Sequence, residues 1–273
     1  LIVIHGRYGA GKTTFLDALA AAKEYVGPYG SGDARWDSLV ASSGGAAKIV
    51  IDWELSAAER ARAALDDNLL TSESIIGRGL SAADPSKVLK GLLTQRPDTE
   101  RGSIHYFHDS RDLSGPVSYG ADEASFSDRL TSRNGKFADL YDVLDQPQRR
   151  PAREEGARRL SELFPAIEIT GLRRTGISFV PIIQSRESGD ERTYQQLSWS
   201  EKSAFITALY TAKAPIVDSV FMIDAPELGF GDEGAVDLVQ ALLRWTKQTQ
   251  IIVTTASKAI RSMREVAHTV ELP

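Results

Sequence analysis

Eight consecutive residues, Gly6-Arg7-Tyr8-Gly9-Ala10-Gly11-Lys12-Thr13, carry the groups needed to hold a polyphosphate. They satisfy the spacing GxxxxGK followed by Ser or Thr. In that spacing the glycines let backbone N–H groups close on the anion, the Lys12 ammonium meets the β- and γ-phosphates, and the Thr13 hydroxyl is placed to ligate Mg²⁺. Gly6, Arg7, Gly9, Ala10, Gly11, Lys12, Thr13 and Thr14 are therefore candidate ligands of ATP. Asp224 is the second group with matching chemistry. It ends the apolar run Ser219-Val220-Phe221-Met222-Ile223, and a carboxylate at the carboxyl end of a neighbouring parallel strand can hold Mg²⁺ or its waters beside Thr13.

These residues need a strand, a tight loop and a helix in that order, and the sequence supplies them. Leu1-Ile2-Val3-Ile4 is a short apolar run suited to a buried parallel strand, and residues 14–22 have helix formers at helical spacing, so the loop opens a helix whose positive end faces the anion. Further on, residues 27–45 read as a surface loop, 47–55 as a strand, 57–70 as a helix and 85–93 as another. Residues 103–108 read as a strand followed by a loop over 109–121, and 122–164 as helical with breaks at Asn134-Gly135 and Gln146-Pro147. Strands are expected at 167–170, 177–183, 219–224, 251–254 and near Val270, with helices over 201–212 and 233–246. The predicted fold is α/β with residues 1–56 and 166–273 as the nucleotide-binding lobe and 57–165 as a mainly helical lobe inserted in it.

Composition bounds the function. With 273 residues, 42% of them hydrophobic, the chain can bury a large core, and its net charge of −5 argues against an overall basic surface for nucleic acid. The absence of cysteine excludes disulfides, thiolate metal sites and a cysteine nucleophile. No apolar run approaches the ~20 residues that cross a bilayer, so no membrane partner is expected. The first residues read as a core strand rather than a leader, which gives a cytoplasmic expectation.

Taken with Leu197-Ser198-Trp199-Ser200-Glu201-Lys202, Asp224-Ala225-Pro226-Glu227-Leu228 and Thr254-Thr255-Ala256-Ser257, the phosphate loop resembles the ABC-type ATPase heads of the SMC, RecF and OLD-nuclease group. The resemblance spans essentially the whole chain. It implies a P-loop NTPase of ABC-ATPase type, with a RecA-like mixed sheet core and an inserted helical lobe. It also implies a head-to-head homodimer, with ATP held between the phosphate loop of one subunit and Ser198, Ser200 and Glu201 of the other. A helix start at Leu197-Ser198 agrees, since amides and hydroxyls there suit a γ-phosphate. Roles in DNA repair, mobile elements or anti-phage defence, acting on a separate effector protein, come from the resemblance alone. A long coiled-coil arm is not expected, because proline and glycine interrupt residues 57–164.

Three positions depart from the family pattern. Ala225 stands where a glutamate polarises the attacking water, Ala256 where a histidine meets the γ-phosphate, and Ser200 where glycine is usual. A methyl group cannot accept a proton, so slow or absent hydrolysis is expected. Three explanations stay open: a degenerate nucleotide switch, slow hydrolysis through Glu227, Asp232 or a partner residue, or an engineered trap at Ala225. Glu227 belongs to the Asp224–Leu228 pattern in its own right, which favours reading it as a structural or interface residue. Asp109 or Ser110 is the candidate metal-side residue in the loop after 103–108, where the family glutamine is not evident. His105 and His108, three apart on a strand, are poorly placed to share a metal. Arg149, Arg150, Arg153, Arg158 and Arg159, diluted by Glu154 and Glu155, read as a solvated helix face or a contact for nucleic acid or protein. Tyr8 replaces the common asparagine of the loop, and Trp36, Trp53, Trp199 and Trp245 read as core or lobe-contact residues. Two other functions compete with the switch: a non-enzymatic nucleotide-bound scaffold and, more weakly, a small-molecule kinase.

Overall fold

A computed structural model of the chain describes residues 1–29, 45–77, 80–83, 87–94, 102–109, 111–113, 130, 137, 140–175, 178–213 and 215–273. Its central sheet holds β1 (Ile2–His5), β5 (Ile104–Phe107), β9 (Val220–Asp224), β10 (Gln250–Thr255) and β11 (His268–Glu271), in the order β11-β1-β10-β9-β5. Among the described residues the pairings in this sheet are parallel. Antiparallel ladders instead form two small sheets, one of β2 (Ala47–Glu54), β3 (Leu69–Gly77) and β4 (Leu80–Ala83), the other of β6 (Ile167–Thr175), β7 (Ser178–Ser185) and β8 (Glu191–Thr193).

The strands β5, β9 and β10 and the middle of β1 are largely apolar on both faces because both are covered, whereas the edge strand β11 is exposed. Val3, Phe107, Phe221, Ile223, Ile251 and Val253 pack on α4 (Leu140–Asp145), α5 (Arg150–Leu163), α6 (Trp199–Lys213) and α7 (Glu227–Trp245). Ile4, Ile104, Tyr106, Met222 and Ile252 pack on α1 (Lys12–Val26) and α3 (Lys87–Leu93) through Leu16, Ala20, Leu89 and Leu93. Two short helices, α2 (Ala57–Ala63) and α8 (Lys258–Arg261), complete the described elements. Gly156 lets α5 approach α6 closely: a Cβ there would meet Leu209 Cδ2 at 2.6 Å.

Two sequence expectations change. The helix read over 57–70 stops at Ala63, since Ala64 turns left-handed at φ 52° and the chain then enters β3, whose alternation pairs it with β2. The span 57–165 also contains β5, and its four buried residues form the edge of the central sheet beside β9. The regular part of α7 follows Gly231, because Leu228, Gly229 and Gly231 have non-helical dihedrals. Trp36, Pro85, Ser110, the Asn134-Gly135 break and most of the loops read over 27–45 and 109–121 lie outside the described residues.

Beneath the end of α1, Lys23 is fully buried against Glu24 at 2.9 Å and over the Tyr29 ring. Burial pulls its ammonium down to about 7, against the pull of Glu24. The folded value lies below the unfolded one of ~10.4, so the unfolded chain binds more protons across pH 7–10 and stability rises with pH there. Urea midpoints should increase from pH 7 to pH 9, and the increase should shrink in Lys23→Met. Equal increases in the two proteins would contradict the assignment.

Candidate functional site

The carboxyl ends of the parallel strands bring the chemical motifs together. The phosphate loop leaves β1, and Gly9 and Gly11 sit at φ 82° and 83°, the left-handed region that glycine enters without a Cβ penalty. A Cβ at either would meet nothing within 4 Å, so the outer face of the loop is open. Gly11 caps α1, whose first turn holds no acid, so the helix presents N–H groups and a positive end to this space. Lys12 Nζ folds back to donate to the carbonyls of Gly6 and Arg7, each at 3.0 Å. Thr14 is exposed, and Tyr8 stands fully exposed at the apex.

Asp224 reaches the loop directly. Thr13 Oγ1 donates to Asp224 Oδ2 at 2.7 Å, across 211 positions of sequence. The two strands are not adjacent: β10 runs between them, and its Thr254 hydroxyl donates to the other Asp224 oxygen. The carboxyl group is 1% exposed. Burial raises its pKa, the bonds from Thr254 and Thr13 lower it, and the nearby charges of Asp109 and Asp17 raise it again. A hydroxyl and a carboxylate held together at the head of an open, amide-rich loop fit Mg²⁺ with a bound polyphosphate.

Around Asp224 the other expected groups take distinct places. Ala225 is left-handed at φ 43°, held by its N–H bond to the Thr254 carbonyl at 3.0 Å. Glu227 spends both carboxylate oxygens on the end of β10, accepting from Thr255 Oγ1 at 2.8 Å and from the Ala256 N–H at 2.7 Å. It braces the segment that carries the exposed Ala256, which matches its structural reading. Asp232 is exposed beyond this network. Asp109 lies close enough for its charge to act on both Asp224 and Arg111.

The Leu197–Lys202 motif starts α6 with a capping box. Glu201 N–H donates to Ser198 Oγ at 3.3 Å and Ser198 N–H to Glu201 Oε2 at 2.8 Å, while Glu201 Oε1 also meets Arg192 at 3.0 Å. Within the chain, Glu201 thus sets the helix start. Ser200 Oγ donates to the Gly229 carbonyl, and Trp199 packs on Gly229. This ties the α6 motif to the loop that follows Asp224. Gly229 has φ 93°, and a Cβ there would meet Trp199 Cδ1 at 2.3 Å. Gly229→Ala should lower the unfolding free energy by about 1–3 kcal/mol, read as a reduced urea midpoint; an unchanged midpoint would show that this contact is not held in solution.

Sequence reasoning missed Arg111, a fully buried cation among these acids, for which spacing gives no signal. The basic cluster is largely committed to α5 itself: Arg150 pairs with Glu154, Arg158 and Arg159 with Glu155, and Arg153 donates to the Leu144 carbonyl. His105 meets the Tyr210 hydroxyl at 2.9 Å and His108 packs against the Tyr106 ring at a tilt of 48°, both buried. Trp53 donates to Ser72 and Trp245 to Glu162. Among the described residues no helix is long and apolar enough to cross a membrane.

No protein-family model and no curated protein matches this chain. Solved structures do. An SMC head bound to the C-terminal winged-helix domain of ScpA matches with a TM-score of 0.58 at 15% identity, covering 95% of this chain and 83% of the other. An SMC head domain with an extended coiled coil, bound to the C-terminal domain of ScpA derived from Pyrococcus furiosus, matches with a TM-score of 0.54 at 15% identity, covering 96% and 84%. The chain has the fold of these SMC head domains.

Proposed function

We propose that this chain binds Mg-ATP through the loop Gly6–Thr13 and Asp224, and uses it as a switch that closes two copies head to head, with slow or absent hydrolysis. The observation that carries the reading is the 2.7 Å bond from Thr13 to Asp224, which joins the phosphate loop to a buried carboxylate at the strand ends. Mg²⁺, when bound, would neutralise charge on the phosphate oxygens. Thr13 and Asp224 would hold it, with Asp109 nearby. Lys12 would exchange two loop carbonyls for phosphate oxygens, and the N–H groups of residues 9–14 would line the anion.

Closure follows from differential affinity. Nucleotide on one copy meets only that copy, whereas in the dimer Ser198 and Ser200 of the second copy would add contacts, and only such extra contacts shift the population. The capping box leaves the Ser200 and Trp199 side of α6 joined to the Asp224 loop, so each copy links the halves that it would contribute to the two composite sites. The lobe division of 1–56 with 166–273 against 57–165 is retained with β5 assigned to the core. The two solved heads are bound to ScpA domains, which supports a protein partner here. A cysteine-free chain of this kind suits the cytoplasm, and a nucleotide switch of this fold suits repair, mobile-element or anti-phage settings.

The scaffold reading is favoured by one observation: both oxygens of Glu227 are already bonded, so Glu227 is not free to act as the base at the Ala225 position. Measuring ATP binding, phosphate release and molecular mass on one sample separates the two. Binding with ATP-dependent doubling of mass supports the switch. Binding without any change of mass supports the scaffold, and no binding refutes both.

A further inference from the structure

Arg111 follows β5 and is 0% exposed. Its Nη2 donates to the Ala225 carbonyl at 3.3 Å, while Nε and Nη1 have no hydrogen-bond partner among the described residues. Unpaired donors on a buried charge are costly, and such groups persist where the charge is used. The negative charges that act on it are those of Asp224, Asp109 and Glu227. Asp224 also accepts from Thr13 and Thr254, and Glu227 from Thr255 and Ala256. Burial lowers its pKa to about 10, which leaves the guanidinium charged at neutral pH. A cation therefore sits one residue behind the carboxylate that faces Thr13, in a dry setting where its field is weakly screened.

We propose that Arg111 is the positioning residue that makes this site prefer a nucleoside triphosphate to a diphosphate. It holds the left-handed Ala225 turn through the carbonyl bond and places its charge behind the end of the site where the third phosphate adds negative charge. The inference rests on the reading of the site as one for Mg-ATP.

The test is calorimetric titration of the unaltered chain, Arg111→Gln and Arg111→Lys with ATPγS and with ADP, all with Mg²⁺. In Arg111→Gln the preference for ATPγS should fall about tenfold while ADP affinity stays within about threefold, and Arg111→Lys should restore most of the preference. Equal losses for both nucleotides, or an unchanged ratio, would overturn the proposal. If Arg111→Gln does not fold, ¹⁵N-arginine spectra of the unaltered chain decide, with Arg111→Lys identifying the signal. The Arg111 Nε–H resonance should move with ATPγS and not with ADP; the same response to both, or to neither, overturns it. An unaltered chain that binds neither nucleotide refutes the underlying reading and this inference with it, whereas binding with an unchanged ratio refutes the inference alone.

Discussion

Lys12→Ala is expected to weaken Mg-ATP binding by about a hundredfold while leaving the fold intact. In the unliganded chain the ammonium donates to two loop carbonyls, Gly6 and Arg7, the second of which also accepts from the Ala10 N–H, so its removal costs the fold little. Bonds from a charged donor to an anion contribute about 1.5–3 kcal/mol each, and about 1.4 kcal/mol is a factor of ten in affinity. Loss of two such bonds gives the stated fall. Titration of both proteins with ATPγS, alongside urea unfolding, checks it. A variant that binds within threefold of the unaltered chain would mean that the loop does not hold the phosphates through Lys12.

The second large effect is a gain. Ala225→Glu should raise the rate of phosphate release by about a hundredfold to ten-thousandfold, the span that a positioned general base contributes. Ala225 follows Asp224, its backbone is fixed by Thr254 on one side and by the Arg111 bond to its carbonyl on the other, and its side chain is only partly buried. The left-handed backbone costs a residue with a Cβ about 1–2 kcal/mol, but alanine already bears that, so the glutamate adds little strain. Ala225→Gln is the control: it should bind ATP equally and release phosphate no faster than the unaltered chain. Binding without acceleration in Ala225→Glu would show that the missing base does not limit turnover. An unaltered chain that already turns over at an ordinary rate of ~10 per second would refute the premise of slow hydrolysis.

The parts of the site that sequence reveals are those in which chemistry and local backbone coincide. Gly9 and Gly11 are needed at positive φ and Lys12-Thr13 must open a helix, so eight consecutive residues specify the loop. Asp224 was legible as the polar end of an apolar strand. Its neighbour was not, because strand order is a tertiary property, and β10 with Thr254 lies between the two. Glu227 shows the same limit: its partners stand 28 and 29 residues away, and nothing in the spacing reveals that they take both oxygens. The Ser-x-x-Glu of Ser198 and Glu201 was visible as a phosphate-facing motif, although the same spacing defines the capping box that it forms within the chain. Local signals also misled at 57–70, where alanines favour helix but a left-handed Ala64 ends it and the β2 ladder claims Leu69 and Leu70. Arg111 was invisible among 32 lysines and arginines, since only the packed sheet edge shows that this one is buried beside three acids.

The central claim is that Thr13 and Asp224 form a metal-assisted polyphosphate site, and one titration addresses it most directly. The unaltered chain is titrated with ATPγS in Mg²⁺ and again in EDTA. Saturable binding of one nucleotide per chain is expected, at least tenfold tighter with Mg²⁺ than without. Binding of equal strength in EDTA, or no saturable binding in Mg²⁺, would contradict it.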